Sequence, residues 1–87
     1  DAIREAEILE DANDPKVKEA FLKVSQLEEQ LASLLPVSDV EGIIARRGAV
    51  RAAVKSGDTA RAKALVDRFV AEEGISIKLK EELEALL

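Results

Sequence analysis

Val17, Val24 and Leu31 recur every seven residues, and Ala20, Leu27 and Leu34 form a second row offset by three, with Phe21 and Leu35 at the flanks. That spacing lays one apolar stripe along a helix. Asn13-Asp14-Pro15 marks its start. The Asp14 carboxylate can accept from the free amides of a first turn, and Pro15 fits there because its missing N–H has no partner to lose. Pro36 disfavours helical geometry at Leu35 and closes the helix. A helix over 15–35 is about 30 Å long, enough to serve as the spine of a small bundle.

The other elements follow from spacing and punctuation. Ala2, Ala6 and Leu9, with Ile3 and Ala12 beside them, stand at helical spacing among acidic residues, which predicts a short first helix over 2–12. Ser38-Asp39-Val40-Glu41 matches the capping box S-x-x-E, so Ser38 is expected to cap a third helix. If that helix runs unbroken to Ser56, Val40, Ile43, Ile44, Val50 and Val54 share one sector, but Arg47 and Arg51 fall inside it. Burying an unpaired guanidinium is costly.

A break or sharp kink at Gly48 avoids that cost. Arg46 and Arg47 would then be cations at a carbonyl end, Gly48 the left-handed residue that closes it, and Ala49 the apolar contact for Ile44. The alternative is a continuous helix in which Gly48 admits a close neighbour. Ser56-Gly57-Asp58 repeats the logic, Gly57 closing one helix and Asp58 capping the next. Over 58–73, Ala62, Leu65, Val66, Phe69 and Val70 form a stripe, with Arg61, Lys63, Asp67 and Arg68 largely outside it. Gly74 ends that helix and sets Ile75 against Val70. Ser76 caps a last helix that uses Leu79, Leu83, Leu86 and Leu87. The alternation from Ile75 to Lys80 also reads as a strand, but no second strand exists to pair with it.

The expected fold is therefore all-α: a single domain over 1–87, built as a compact irregular bundle of five or six helices with loops of about two to three residues around the helix at 15–35. Phe21 and Phe69 are the only aromatic residues, so the core must come from Leu, Ile, Val and Ala, which favours helices that approach closely.

The same alphabet limits chemistry. Cys, His, Met, Trp and Tyr are all absent, which removes thiolate nucleophiles, imidazole bases, disulfides and most aromatic stacking. Ser25, Ser33, Ser38, Ser56 and Ser76 have no base to activate them, every Lys lies on an expected polar face, and the four glycines stand singly rather than in a phosphate-binding loop. No enzymatic activity is expected. No cofactor is implied either. Asp11-Ala12-Asn13-Asp14 opens like a calcium loop, but Pro15, Lys16 and Leu22 occupy positions where the loop needs oxygen ligands and a Gly. The pairs Glu28/Glu29, Glu72/Glu73 and Glu81/Glu82 lack the Glu-x-x-His partner of a di-metal bundle and are better read as solvated or paired with Arg and Lys. No metal ligand is assigned.

Charge is unevenly placed within a net −5. Residues 1–44 carry four basic and eleven acidic side chains, 45–68 carry seven and two, and 69–87 carry two and five. Arg46, Arg47, Arg51 and Lys55 make a candidate basic interaction face, and a Gly at a helix junction invites comparison with the helix-turn-helix. Ile43 and Val54 suit that motif. Ile44 and Arg47 do not, and the would-be recognition helix ends at Gly57 with an acidic Asp58. With the acidic balance of the whole chain, this argues against nucleic acid and for cations that meet solvent or the chain's own carboxylates.

Residues 49–70, AVRAAVKSGDTARAKALVDRFV, resemble one hairpin of the tetratricopeptide or ankyrin-type solenoids, but no second copy follows at their period of 33–34 residues. The restricted alphabet, the caps, the closing glycines and the short loops together resemble computationally designed all-α proteins. Gly42 within a helix, Asn13, Thr59 and the abundance of Ala depart from the most idealised of these. That resemblance implies a de novo structural scaffold with no natural ligand. The alternative is a natural helical protein–protein interaction module, and nucleic-acid binding ranks below both. No partner is required, although self-association or a protein partner is compatible with the sequence. With no signal-peptide pattern and no apolar run of membrane-spanning length, the chain reads as soluble and not membrane-bound, its compartment unassigned.

Overall fold

The computed structural model describes residues 16–87, so the expected helix over 2–12 and the Asp14 cap lie outside the described residues. Four α-helices follow in order: α1, Lys16–Leu34; α2, Val40–Lys55; α3, Thr59–Val70; and α4, Ile77–Ala85. No strand occurs among the described residues, and the Ile75–Lys80 alternation is the start of α4.

The described residues form four helices rather than the expected five or six: α2 runs unbroken through Arg46, Arg47 and Gly48, so no sixth helix arises there, and the expected helix over 2–12 lies outside the described residues. Gly48 has no left-handed backbone; Gly57 (φ 82°) and Gly74 (φ 85°) are the residues that do. Gly48 instead admits the Glu28 side chain, whose carboxyl would stand 3.2 Å from a Cβ built there. The close-packing alternative is the one realised. Gly48→Ala is therefore expected to gain up to about 1 kcal/mol from helix propensity, since the Glu28 side chain can shift aside. A urea titration checks this, and a loss of about 1–2 kcal/mol would mark a left-handed joint instead.

The central helix is α2 rather than the expected 15–35 spine. It packs on α1, α3 and α4; among the described helices α1 packs backbone-close on α2 alone, and α3 packs on α4. The reason lies in residue size. The face α2 buries is Gly42, Ala45, Arg46, Ala49, Val50, Ala52 and Ala53, so three neighbours can approach closely. Those positions centre about 150° from the sector of Val40, Ile43, Ile44 and Val54. Val40, Ile44 and Val54 are exposed.

The heptad stripe of α1 is rotated in the same way. Phe21, Val24, Ser25 and Ala32 are buried, while Leu27, Leu31 and Leu34 face outward. The stripe of α3 is placed as expected, with Ala62, Leu65, Val66 and Phe69 buried and Val70 half-buried. These residues join Ala32, Ala45, Ala49, Ala53, Val50, Leu79 and Leu83 in the main core.

Helix ends follow local chemistry with three corrections. Asp39, not Ser38, caps α2, its Oδ1 accepting from the Glu41 amide at 3.1 Å. The turn closed by the Asp39 amide on the Pro36 carbonyl holds Ser38 one residue before the cap position. Helix α3 stops at Val70, so Gly74 sits in the turn beyond it rather than at its end. The connections at 35–39 and 71–76 also exceed the expected two to three residues. Asp58 and Ser76 cap as expected, accepting from the Arg61 amide at 2.9 Å and the Leu79 amide at 3.1 Å. Gly57 closes α2, its amide donating to the Val54 carbonyl at 3.0 Å.

Candidate interaction surface

The four residues of the candidate basic face diverge around α2. Arg46 points inward and its side chain is 4% exposed. Its Nε and Nη2 donate to the two oxygens of Glu72 at 2.9 and 2.8 Å, Nη1 donates to the Gly42 carbonyl at 2.9 Å, and Nη2 also reaches the Leu35 carbonyl at 3.1 Å. The guanidinium carbon stands 5.7 Å from the Phe69 ring centroid. One side chain thus satisfies a free carbonyl at the end of α1, pins the connection to α2 and ties both to the segment after α3.

Arg47 turns toward α4, where Nη1 meets Glu82 at 3.0 Å. Arg51 and Lys55 lie on the α1 side, the Lys55 ammonium 5.2 Å from the Phe21 ring centroid. Of the four residues of the candidate face, Arg46 and Arg47 thus meet the chain's own carboxylates. With α2 unbroken at Gly48, the turn of a helix-turn-helix is absent there.

A second polar network joins α1 to α3. Ser25, fully buried, donates to the Ala49 carbonyl at 2.8 Å and accepts from Arg61 Nε at 3.0 Å. Arg61 and Arg68 each donate to Glu29, at 2.6 and 2.7 Å. Burial works to raise the Glu29 carboxyl, but the hydrogen bonds and charges of Arg61 and Arg68 outweigh it and hold the group below the usual carboxylate range. Glu28, turned toward Gly48, has no such partners, and burial raises it. Three of the paired acidic residues (Glu29, Glu72 and Glu82) are thus arginine partners. Among the described residues no group of three carboxylates is placed to hold a metal ion, and no helix is long and apolar enough to cross a membrane.

These networks occupy the polar groups and leave the outer apolar residues. Leu27, Leu31 and Leu34 share one face of α1, and Val40 and Ile44 stand one turn apart on α2. Leu31 and Leu34 end α1 where Val40 and Ile44 begin α2, so the four flank the same end of the α1–α2 hairpin. Leu34 is 80% exposed, Val40 69% and Ile44 54%. A shallow cavity of about 250 Å³ continues from them between α2 and α4, lined by Val40, Ile43, Ile44 and Leu79 with Arg47 and Glu82 at its rim.

Sequence periodicity assigned these residues to the core and did not foresee them as surface. The signal available was the excess of large apolar residues in α1, which carries two apolar flanks where a single seam needs one. Comparison with protein-family models, with curated proteins and with solved structures finds no match to this chain.

Proposed function

We propose that this protein is a non-enzymatic helical interaction module that takes an amphipathic helix of a partner protein across Leu31, Leu34, Val40 and Ile44. The observation carrying this reading is the outward placement of four large aliphatic side chains at one end of one hairpin, beside a cavity able to receive an anchoring side chain. Such patches, rimmed by polar groups, are where soluble proteins meet partners. The rim here is the Arg47–Glu82 pair. An amphipathic helix presents apolar anchors at three- and four-residue spacing, the spacing that these residues themselves display.

A ligand-free de novo scaffold is the second reading. It is favoured by the complete hydrogen bonding of buried side-chain polar atoms among the described residues and by caps at Asp39, Asp58 and Ser76. An idealised scaffold gains nothing from an exposed aliphatic row, which is a liability for solubility. That difference favours the interaction module.

Selecting binders from a library of helical peptides displayed against the full chain tests the proposal. Selected peptides are expected to shift the amide resonances of Leu31, Leu34 and Ile44, and to lose at least about tenfold in affinity against Leu31→Glu/Ile44→Glu, given what burying one aliphatic side chain contributes. Peptides that bind the double variant equally well, or none recovered at all, would sink the reading.

A further inference from the structure

The cavity between α2 and α4 combines apolar walls with a charged mouth. Val40, Ile43, Ile44 and Leu79 form the walls, and Arg47, Lys78 and Glu82 stand at the rim. Leu79 is buried and Ile43 half-buried, while Lys78 is exposed and the Arg47 and Glu82 side chains are partly so. A volume of about 250 Å³ holds several waters, and so a side chain larger than the isobutyl group of a leucine.

We infer that this cavity takes a tryptophan side chain of the partner, its ring against Val40, Ile44 and Leu79 and its face toward Arg47. The walls call for an apolar body, and the rim decides which kind. Arg47 and Lys78 set two cations beside one carboxylate. The negative face of an aromatic ring is attracted to such cations, most strongly for indole. A lysine or arginine from the partner would meet that positive excess, and a carboxylate would give up water beside apolar walls. Glu82 meets Arg47 through Oε2, which leaves Oε1 to accept from the indole N–H, a polar handle that phenylalanine lacks. Tryptophan seated in a pocket is also a frequent anchor of protein interfaces. The inference rests on the partner-helix reading for the source of the ring, and on the cavity alone for its chemistry.

The test uses single blocked residues as probes: N-acetyltryptophanamide, N-acetylphenylalaninamide and N-acetylleucinamide, each titrated into the ¹⁵N-labelled full 87-residue protein. The tryptophan probe is expected to shift the amides of Ile43, Leu79 and Glu82, with affinity falling several-fold from tryptophan through phenylalanine to leucine. Arg47→Gln is expected to weaken the tryptophan probe about two- to fivefold, and Arg47→Lys, which keeps a cation, to retain most of the affinity. No shift at Ile43 and Leu79, a leucine probe that binds as well as the tryptophan one, or unchanged affinity in Arg47→Gln would each overturn the inference. The two readings fail separately. Tryptophan binding with no helical peptide recovered would sink the partner helix and support the cavity's preference. Helical peptides that bind across Leu31 and Ile44 while the tryptophan probe does not would do the reverse.

Discussion

Arg46→Ala is expected to lower the stability of the fold by about 3 kcal/mol, since removing one partner of a buried, hydrogen-bonded ion pair leaves both a cavity and uncompensated groups. The Leu35 and Gly42 carbonyls and the Glu72 carboxylate would lose a donor, and the Phe69 ring would lose one of its two cations, keeping Arg68. The Glu72 side chain is 30% exposed and can hydrate, which keeps the loss from being larger. For a domain of this size the change corresponds to roughly 12–24 °C in melting temperature. Arg46→Lys is expected to recover less than half, because one ammonium cannot span a bidentate carboxylate and two carbonyls at once. Urea unfolding of the three proteins measures this, and a loss below about 1 kcal/mol for Arg46→Ala would show that the clamp is not formed in solution.

Gly42→Ala is expected to cost about 1–2 kcal/mol, with the opposite sign to Gly48→Ala in the same helix. Both glycines have ordinary helical backbones, so conformation does not distinguish them. Surroundings do. A Cβ at Gly42 would fall against the Pro36 carbonyl oxygen, a backbone atom held by the turn, and within 3.0 Å of Arg46 Nη1. Overpacking against rigid atoms outweighs the gain in helix propensity. Because the added methyl also disturbs the Arg46 guanidinium, Gly42→Ala and Arg46→Ala share one interaction and their losses are expected to sum to less than two independent ones. Strict additivity in a double-mutant cycle would contradict the shared contact.

Large residues made part of this fold legible and misdirected another part. In α3 the Leu, Val and Phe positions are the buried ones, so periodicity finds the core. In α1 and α2 the buried face is Phe21, Val24 and Ser25, then Gly42 and a run of alanines, and a pattern that weights bulky aliphatics selects the neighbouring face instead. A straight helix looks costly in the sequence because the sector of its large aliphatics would bury Arg47 and Arg51, whereas α2 buries a different sector, and the arginine within it is Arg46, which is paired. Its partner, Glu72, lies 26 residues away, and the second acceptor is a carbonyl freed by the end of α1 before Pro36. Neither relation is local. Caps and closing glycines were legible at Asp58, Gly57 and Ser76 because those are set within three or four residues. Ser38 was misread because the turn after Pro36 decides which of two adjacent oxygens reaches the helix.

The same displacement of the stripe produces the candidate binding face, since Leu27, Leu31, Leu34, Val40 and Ile44 are outside only because smaller residues are inside. The central claim is that the Leu31, Leu34, Val40 and Ile44 part of that face stays open to solvent in the full chain. Methyl-detected NMR with a neutral paramagnetic gadolinium chelate in dilute solution tests it most directly. The methyls of Leu31, Leu34, Val40 and Ile44 are expected to relax several times faster than those of Val50 and Leu83. Equal protection of the two sets would mean that the face is already covered, and would contradict its role as a surface waiting for a partner.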